Sequence, residues 1–207
     1  MLPAGELDGG HFTMAGRPQP RRLVTQRLIL RPWQEADRAP FRALNGDPEV
    51  MEHFPRPLSP ERSDAIMDAW QAHVAEHGWG FWAVERTLDG AFIGAVGIAT
   101  ATFPTHFTPT VEIGWRLLKP YWRKGYTLEA ARESLRFGFE ELRLPEIVAF
   151  TLPANLPSRG VMERLGMRRD PADDFEHPSV EAGHPMRHHV LYRLSREAWQ
   201  RGTGAGG

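Results

Sequence analysis

The sequence predicts an α/β (α+β) domain in which a mixed sheet is covered by helices. Two observations carry this. Period-two segments at 81–86 and 92–101 flank Leu88-Asp89-Gly90, the turn signal of a hairpin. Further along, a strand-like run at 111–118, a tight turn with glycine, an amphipathic helix from about 127 to 142 and a strand at 147–152 form a strand-helix-strand unit. Strands paired first as a hairpin and then joined through a helix require a mixed sheet with helices packed on it.

The elements follow in order. Leu28-Ile29-Leu30 is a short strand core. Between Gln34 and Asn45, Ala36, Ala39, Phe41 and Leu44 suggest a short helix that begins or is interrupted near Pro40. Ser59-Pro60-Glu61 reads as an N-cap, a first-turn proline and an acid at the positive helix end, opening a helix to about His77 that closes at Gly78. Its buried stripe is either Ala65, Ala69 and Ala72 or Ile66, Trp70 and His73. The helix at 127–142 presents Ala131, Ser134, Leu135, Gly138, Phe139 and Leu142 on one side. A short helix at 157–165 ends at Gly166, and 190–194 is a last strand. Residues 1–20, rich in Gly and Pro, and the C-terminal end, where 202–207 is almost entirely small, cannot repay the entropy of ordering, which gives tails at 1–20 and 200–207. They are expected to be flexible tails around one domain at 21–199, with Met14 as an alternative start.

At 207 residues, with 41% hydrophobic and 25% charged residues, the chain has the balance of a single globular domain. A formal net charge of -1 gives no global attraction to nucleic acid or anionic membrane, so any basic site must be local. The absence of cysteine excludes a disulfide framework, a thiolate zinc site and an acyl-cysteine intermediate, and suits a reducing cytoplasm. No stretch approaches the roughly 18 consecutive apolar residues of a membrane span, and the N-terminus lacks the order of a signal peptide. The expectation is a cytoplasmic protein without nucleic-acid or membrane partners.

The most chemically informative stretch is Pro120-Tyr121-Trp122-Arg123-Lys124-Gly125-Tyr126-Thr127, which leads into the 127–142 helix. The first turn of a helix carries N–H groups without intrahelical partners at the positive end of the macrodipole, so it accepts an anion where nothing bulky blocks the approach. Gly125 permits that approach, and Arg123 with Lys124 adds positive charge. Ordinary turn geometry and solubility are the competing explanation for the same residues.

This stretch resembles motif A of the GNAT N-acyltransferase superfamily, in the RimJ/RimL-like (ribosomal-protein N-terminal acetyltransferase-like) branch. There Gln/Arg-x-x-Gly-x-Gly/Ala cradles the coenzyme A pyrophosphate; here the pattern falls on Trp122, Gly125 and Thr127. Glu112-Ile113-Gly114-Trp115 is similar to the family's fourth strand and Glu129-Ala130-Ala131 to the helix that follows. Asn155-Leu156-Pro157-Ser158 and Met162-Glu163-Arg164-Leu165-Gly166-Met167 resemble its Asn-x-x-Ser and Leu-Gly-Phe ending, and Thr25-Gln26-Arg27-Leu28-Ile29-Leu30-Arg31-Pro32 resembles the first strand of the branch. The likeness spans about residues 23–195. Arg123 departs from it, standing where the branch usually has glycine, and so does Thr127, where it has alanine or glycine.

The resemblance implies a GNAT-like, mostly antiparallel mixed sheet with helices on both faces and splayed fourth and fifth strands. It implies acetyl-CoA as co-substrate, no metal, and transfer of an acetyl group to a primary amine, either a protein N-terminus or a small molecule, by direct attack in a ternary complex. Trp122, Arg123, Lys124, Gly125, Tyr126 and Thr127 would cradle the diphosphate. A backbone N–H between Trp115 and Leu117 would meet the carbonyl oxygen, and Asn155 with Ser158 would hold the pantetheine arm.

Such a transfer needs a neutral amine and a proton for the leaving thiolate. Alternation places Thr110, Glu112, Gly114 and Arg116 on one strand face, with Gly114 leaving room beside the carboxylate. Glu112 is therefore the candidate base, directly or through a water, against the plainer reading of a carboxylate that is solvated or paired with a neighbouring arginine. Ser158 is the candidate acid by family likeness, or else only a helix cap. Met162 stands where many relatives carry a tyrosine acid.

His177, His184, His188 and His189 lack the spacing of a metal site, because adjacent strand histidines point to opposite faces. His177 is retained as a substrate-facing candidate. Trp33, Phe54, Trp79, Phe81 and Trp82 read as core, and part of 50–80 walls the acceptor pocket in the resembled fold. Two rival readings stay open: an acyl-CoA-binding or sensing module without turnover, and a nucleotide-binding turn, although the latter lacks a Gly-x-x-x-x-Gly-Lys-Ser/Thr loop. Oligomeric state is open, with a homodimer among the arrangements expected.

Overall fold

A computed structural model describes residues 18–204. The expected tail over 1–17 and the Met14 start lie outside the described residues. Strands β1 (Leu23–Val24) and β2 (Leu28–Arg31) open the fold, followed by helices α1 (Arg38–Gly46) and α2 (Pro60–His77). Strands β3 (Phe81–Arg86), β4 (Phe92–Ala101) and β5 (Thr110–Leu117) lead to helix α3 (Tyr126–Arg136). Then come β6 (Glu146–Thr151), α4 (Leu156–Arg164), β7 (Arg168–Arg169), β8 (Phe175–Glu176), β9 (His188–Ser195) and α5 (Arg196–Gly204).

The strands join in the order β1-β2-β3-β4-β5-β6-β9-β7, with β8 on β9. Every pairing is antiparallel except β5 with β6. That exception follows from the connection, since a strand-helix-strand crossover through α3 returns the chain in the same direction. The mixed, mostly antiparallel sheet read from the sequence is the sheet observed.

Helices cover both faces. On one, Leu28, Leu30, Trp82, Val96, Ile98, Ile113 and Leu117 pack with Ala130, Ala131 and Leu135 of α3 in the main core. On the other, Trp33, Phe41, Leu44, Met67, Ala83 and Ala95 form a second cluster beneath α1 and α2. Alternating strand side chains feed the two cores, which is why β4 reads as nearly continuous apolar sequence: it is covered on both sides.

Ser59 caps α2 by accepting from the Arg62 N–H (3.3 Å), and Gly78 ends it at φ 79°, as the sequence indicates. Its buried stripe, however, is Ser63, Met67 and Val74, with Ile66 and Trp70 packed beside it. Ala65, Ala69 and Ala72 are exposed; the long side chains reach the sheet and the alanines do not. Pro40 lies in the first turn of α1, where its missing N–H costs nothing, so the helix begins there and is preceded by a 3₁₀ turn at Glu35–Asp37.

The expected helix over 127–142 ends as α-helix at Arg136 and continues as a π turn, Phe137–Glu141, closed by the Leu142 N–H donating to the Phe137 carbonyl (3.1 Å). Gly138 brings this wide turn onto β6, since a Cβ there would lie 2.6 Å from Ile147 Cδ1. Helix α5 runs through Gly204, into the segment expected as a tail from 200, and 205–207 lie outside the described residues. Trp199 docks the helix, for it is 8% exposed and lies 5.7 Å from the Phe139 ring, covering the end of the core.

A buried ion pair fixes the start of the α1 side. Arg31 Nη1 and Nη2 donate to both oxygens of Asp37 (2.7 and 2.9 Å) and Nε donates to Glu85 (2.6 Å). Arg31→Met would leave the Asp37 carboxylate, 2% exposed, without its counter-charge. Denaturant unfolding should show a loss of about 3–5 kcal/mol, and an unchanged midpoint would remove this pair from the account of the fold.

Candidate active site

β5 and β6 touch through a single register pair, Glu112 with Val148. On its other edge β5 stays in register with β4 from Thr110 to Leu117. The two parallel strands therefore part beyond Glu112, which is the splay the family likeness implies.

Peptide groups alternate direction along a strand. The Leu118 N–H donates to the Ile93 carbonyl (2.9 Å), so in the same register Arg116, Gly114 and Glu112 point their peptide groups at β4. Those of Trp115 and Leu117 point into the gap. The Leu117 carbonyl accepts from Trp122 Nε1 (2.7 Å), which leaves the N–H groups of Trp115 and Leu117 on the gap side. Their side chains face the main core, so only backbone is offered here.

At the end of β5 the chain makes a 3₁₀ turn, Lys119–Tyr121, and enters α3 with no side-chain cap. Arg123 has φ 57° and Gly125 φ 79°. The left-handed conformation at 123 is the physical reason a glycine suits that position; arginine adopts it at a cost of roughly 1–2 kcal/mol. A Cβ on Gly125 would meet only Arg27 Nη2, at 3.3 Å, so the helix start is open to solvent. Arg123 and Lys124 are exposed and carry no acid partner among the described residues. An uncapped, cationic helix start fits a diphosphate group.

Within this turn the structure separates side chains from backbone. The Trp122 indole is committed to β5, and the Tyr126 ring is buried beneath the Arg27 guanidinium (4.7 Å). The Tyr126 ring therefore seals the turn against the core, whereas Trp122 stays exposed with its N–H engaged; Tyr126 and Thr127 offer N–H groups at the first turn of α3.

Sequence reasoning missed the brace behind the turn. Glu129 accepts from Thr25 Oγ1 (2.6 Å), the Arg27 N–H (2.8 Å) and Arg27 Nε (2.6 Å), while Arg27 Nη1 donates to the Lys124 carbonyl (3.0 Å). Burial opposes ionisation of Glu129, but these donors outweigh it and hold the carboxyl below its ordinary range. Thr25, Arg27 and Glu129 all lie in segments with family likeness, yet Arg27 and Glu129 are 102 residues apart and nothing local announces their pairing.

Glu112 stands where the strands part, half-buried on the face opposite α3. Its carboxylate has no ion-pair or hydrogen-bond partner among the described residues, and burial pushes its pKa up to about 7. The alternative of pairing with Arg116 is thereby removed. Arg116 instead donates from Nη1 to Asn45 Oδ1 and lies over the Phe54 ring (4.4 Å). The room expected above Gly114, between the two, is instead filled by Phe81, whose ring carbons would lie 3.0–3.1 Å from a Cβ there.

On α4 the cap is Asn155, not Ser158. Asn155 Oδ1 accepts from the Ser158 N–H (3.2 Å), and its Nδ2 donates to Thr151 Oγ1 (2.9 Å). The Ser158 hydroxyl is left without a partner among the described residues. Met162 is 2% exposed in the main core, so no polar group reaches out at that position.

Beyond Glu112 the same face carries Phe103, Phe107, Phe150 and Phe175 around His177, which lies 4.8 Å from Phe103 and 5.1 Å from His189. Burial pushes His177 down to about 4, so its imidazole is neutral at pH 7. His188 turns the other way, to Glu176 (3.2 Å). Among the described residues no three His, Asp or Glu side chains group as a metal site, and no helix is long and apolar enough to cross a membrane.

Comparison with known proteins identifies the family to which this fold belongs. A family model described as an acetyltransferase (GNAT) domain matches residues 27–168. The FsC-acetyl coenzyme A-N(2)-transacetylase of Aspergillus fumigatus is 32% identical over 189 residues, covering 86% of this chain and 78% of that protein. The N-acetyltransferase YnaD of Bacillus subtilis is 30% identical over 178 residues, covering 86% of this chain and 98% of its own. Among solved structures, a GNAT-family acetyltransferase from Bacillus anthracis aligns with TM-score 0.70 at 26% identity, over 86% of this chain and 99% of that one. Mycobacterium smegmatis RimJ in complex with CoA-disulfide shares the fold, with TM-score 0.68 at 22% identity over 90% of this chain and 95% of that one. These likenesses extend across the superfamily and do not single out the RimJ/RimL branch. The chain belongs to the GNAT acetyltransferase family, whose general activity is acetyl-CoA-dependent N-acetyl transfer.

Proposed function

We propose that the chain transfers the acetyl group of acetyl-CoA to a primary amine by direct attack within a ternary complex, with Glu112 as base. The observation that carries this reading is the unpartnered Glu112 carboxylate at the point where β5 leaves β6. Bound acetyl-CoA supplies a thioester, an acyl carbon open to a nitrogen nucleophile. Arg123, Lys124 and the N–H groups of 125–127 bind the diphosphate, and Asn155 borders the pantetheine path. The N–H groups of Trp115 and Leu117 donate to the carbonyl oxygen, where negative charge grows as nitrogen attacks.

An ammonium acceptor must first lose a proton. A carboxyl titrating near 7 is matched to that task at neutral pH, directly or through one water. The N–C bond then forms, the C–S bond breaks, the nitrogen releases its second proton to solvent, and the thiolate takes one proton from solvent or from Ser158, which solvent reprotonates. A protein amino terminus, the acceptor of the RimJ/RimL-like reading, and a small-molecule amine both suit the face that Glu112 shares with Gly114 and Arg116. The N(2)-transacetylase name of the fungal relative supports nitrogen as the acceptor atom.

Glu112→Gln should lower kcat by about 10²-fold or more and remove the rise of kcat/KM with pH through about 7, with acetyl-CoA affinity unchanged. Retention of that pH limb would dismiss Glu112 as base. The same variant has a thermodynamic signature. Because the folded carboxyl holds its proton up to about 7, the unfolded chain releases it first, and stability falls as pH rises from the ordinary carboxyl range to 7. Between pH 5 and 8 this costs roughly 2–3 kcal/mol, which urea unfolding should show to be absent in Glu112→Gln.

Charge reversal at Arg123 and Lys124, both exposed, should weaken acetyl-CoA binding by about tenfold or more in calorimetry while leaving the melting temperature unchanged. Equal affinity would place the diphosphate elsewhere.

A further inference from the structure

Arg116 is a half-buried cation held only by neutral groups, and its Nε is fully enclosed. The contrast with Arg31 is direct: both guanidinium groups are enclosed by the α1 side of the sheet, but Arg31 has Asp37 and Glu85, whereas Arg116 has the Asn45 amide and the Phe54 ring. No acid pairs with Arg116 among the described residues. Its Nε is buried with no hydrogen-bond partner. Burial also lowers its pKa to about 10, which leaves the group charged at pH 7.

The arrangement is held rigidly. Asn45 Nδ2 donates to Ser63 Oγ (2.8 Å), and Asn45 and Ser63 are both fully buried, so the amide is fixed with its oxygen toward Arg116. Of five guanidinium donors, the fold uses one on Asn45. A buried charge with spare donors and no counter-ion is costly in the folded chain alone, and a ligand anion relieves that cost.

Arg116 also lies on the acceptor face. It is four residues from Glu112 on the same side of β5, about 13 Å between Cα positions at the usual rise, with the Phe81 ring over Gly114 as the apolar wall between them. We propose that the acceptor carries a carboxylate as well as its amine, and that Arg116 binds this carboxylate through the donors the fold leaves over. A carboxylate matches the planar fork and neutralises one positive charge; a phosphate dianion would leave excess negative charge beside Glu112. The proposal rests on the reading of Glu112 and the parted strands as the acetyl-transfer site.

The test uses the full chain saturated with coenzyme A and two matched pairs of product-like ligands. N-acetylleucine against N-acetylleucinamide probes the α-carboxylate of a free amino acid. Acetyl-Ala-Asp-amide against acetyl-Ala-Asn-amide probes a side-chain carboxylate beside a peptide amino terminus. In one pair the acid should bind about tenfold or more tightly than its amide, a preference abolished in Arg116→Met and partly kept in Arg116→Lys. Equal binding of acid and amide in both wild-type pairs, or a preference that survives Arg116→Met, overturns the proposal. The wild-type comparison decides even if Arg116→Met does not fold. Thiol release with the unacetylated counterparts separates the two levels. Turnover without an acid preference removes the carboxylate subsite and leaves acetyl transfer standing, whereas an Arg116-dependent binding preference without turnover keeps the subsite and removes the transfer reading.

Discussion

The separation of β5 from β6 after one register pair is the constraint on which the site depends. A sheet saturates its backbone donors and acceptors by pairing, and a gap leaves strong hydrogen-bonding groups pointing at a space that another molecule can enter. The gap also sets the environment of Glu112. A carboxylate at the last paired position is desolvated by its surroundings, yet has no cation among the described residues to offset its burial. Desolvation without compensation is expensive for stability and useful for proton transfer.

Around this gap the molecule divides its tasks between faces. On the α3 side, the open helix start at Gly125 is braced by Arg27 and Glu129, so the first helical turn keeps its orientation without a side-chain cap that would occupy the anion position. On the opposite side, one wall is polar, with Asn45 and Arg116 beside Phe54, and the other is an aromatic cluster around His177. The neutral imidazole fits that cluster because an unpaired imidazolium there would be desolvated among rings. Glu112 lies on the strand between these walls, at the level of Val148.

The departures from a typical cradle acquire a structural meaning. Arg123 takes a left-handed backbone conformation that glycine would adopt without strain, and in return places a cation at the helix start. Trp122 spends its N–H on the Leu117 carbonyl, satisfying one acceptor that the parted strands expose. At Ser158 the sequence pattern is ambiguous between cap and hydroxyl donor. The geometry assigns the cap to Asn155 and leaves the hydroxyl unengaged.

By itself the sequence determined the class of fold and the place of the chemistry. Period-two runs, the Ser59-Pro60 helix start, the Gly78 stop and the glycine turn before α3 are local signals, written within a few residues by backbone sterics and side-chain periodicity. They were enough to put Glu112 on a strand face with Gly114 and Arg116. What depended on distant neighbours was not legible: the π turn after Arg136, the docking of α5 through Trp199, the stripe of α2, and the Thr25–Arg27–Glu129 brace. The same holds for the electrostatics of the site. An arginine and a glutamate four residues apart on a strand read as a potential pair, and only tertiary packing turned Arg116 to Asn45 and left Glu112 alone, because burial and partner choice belong to the whole fold and not to any segment of it.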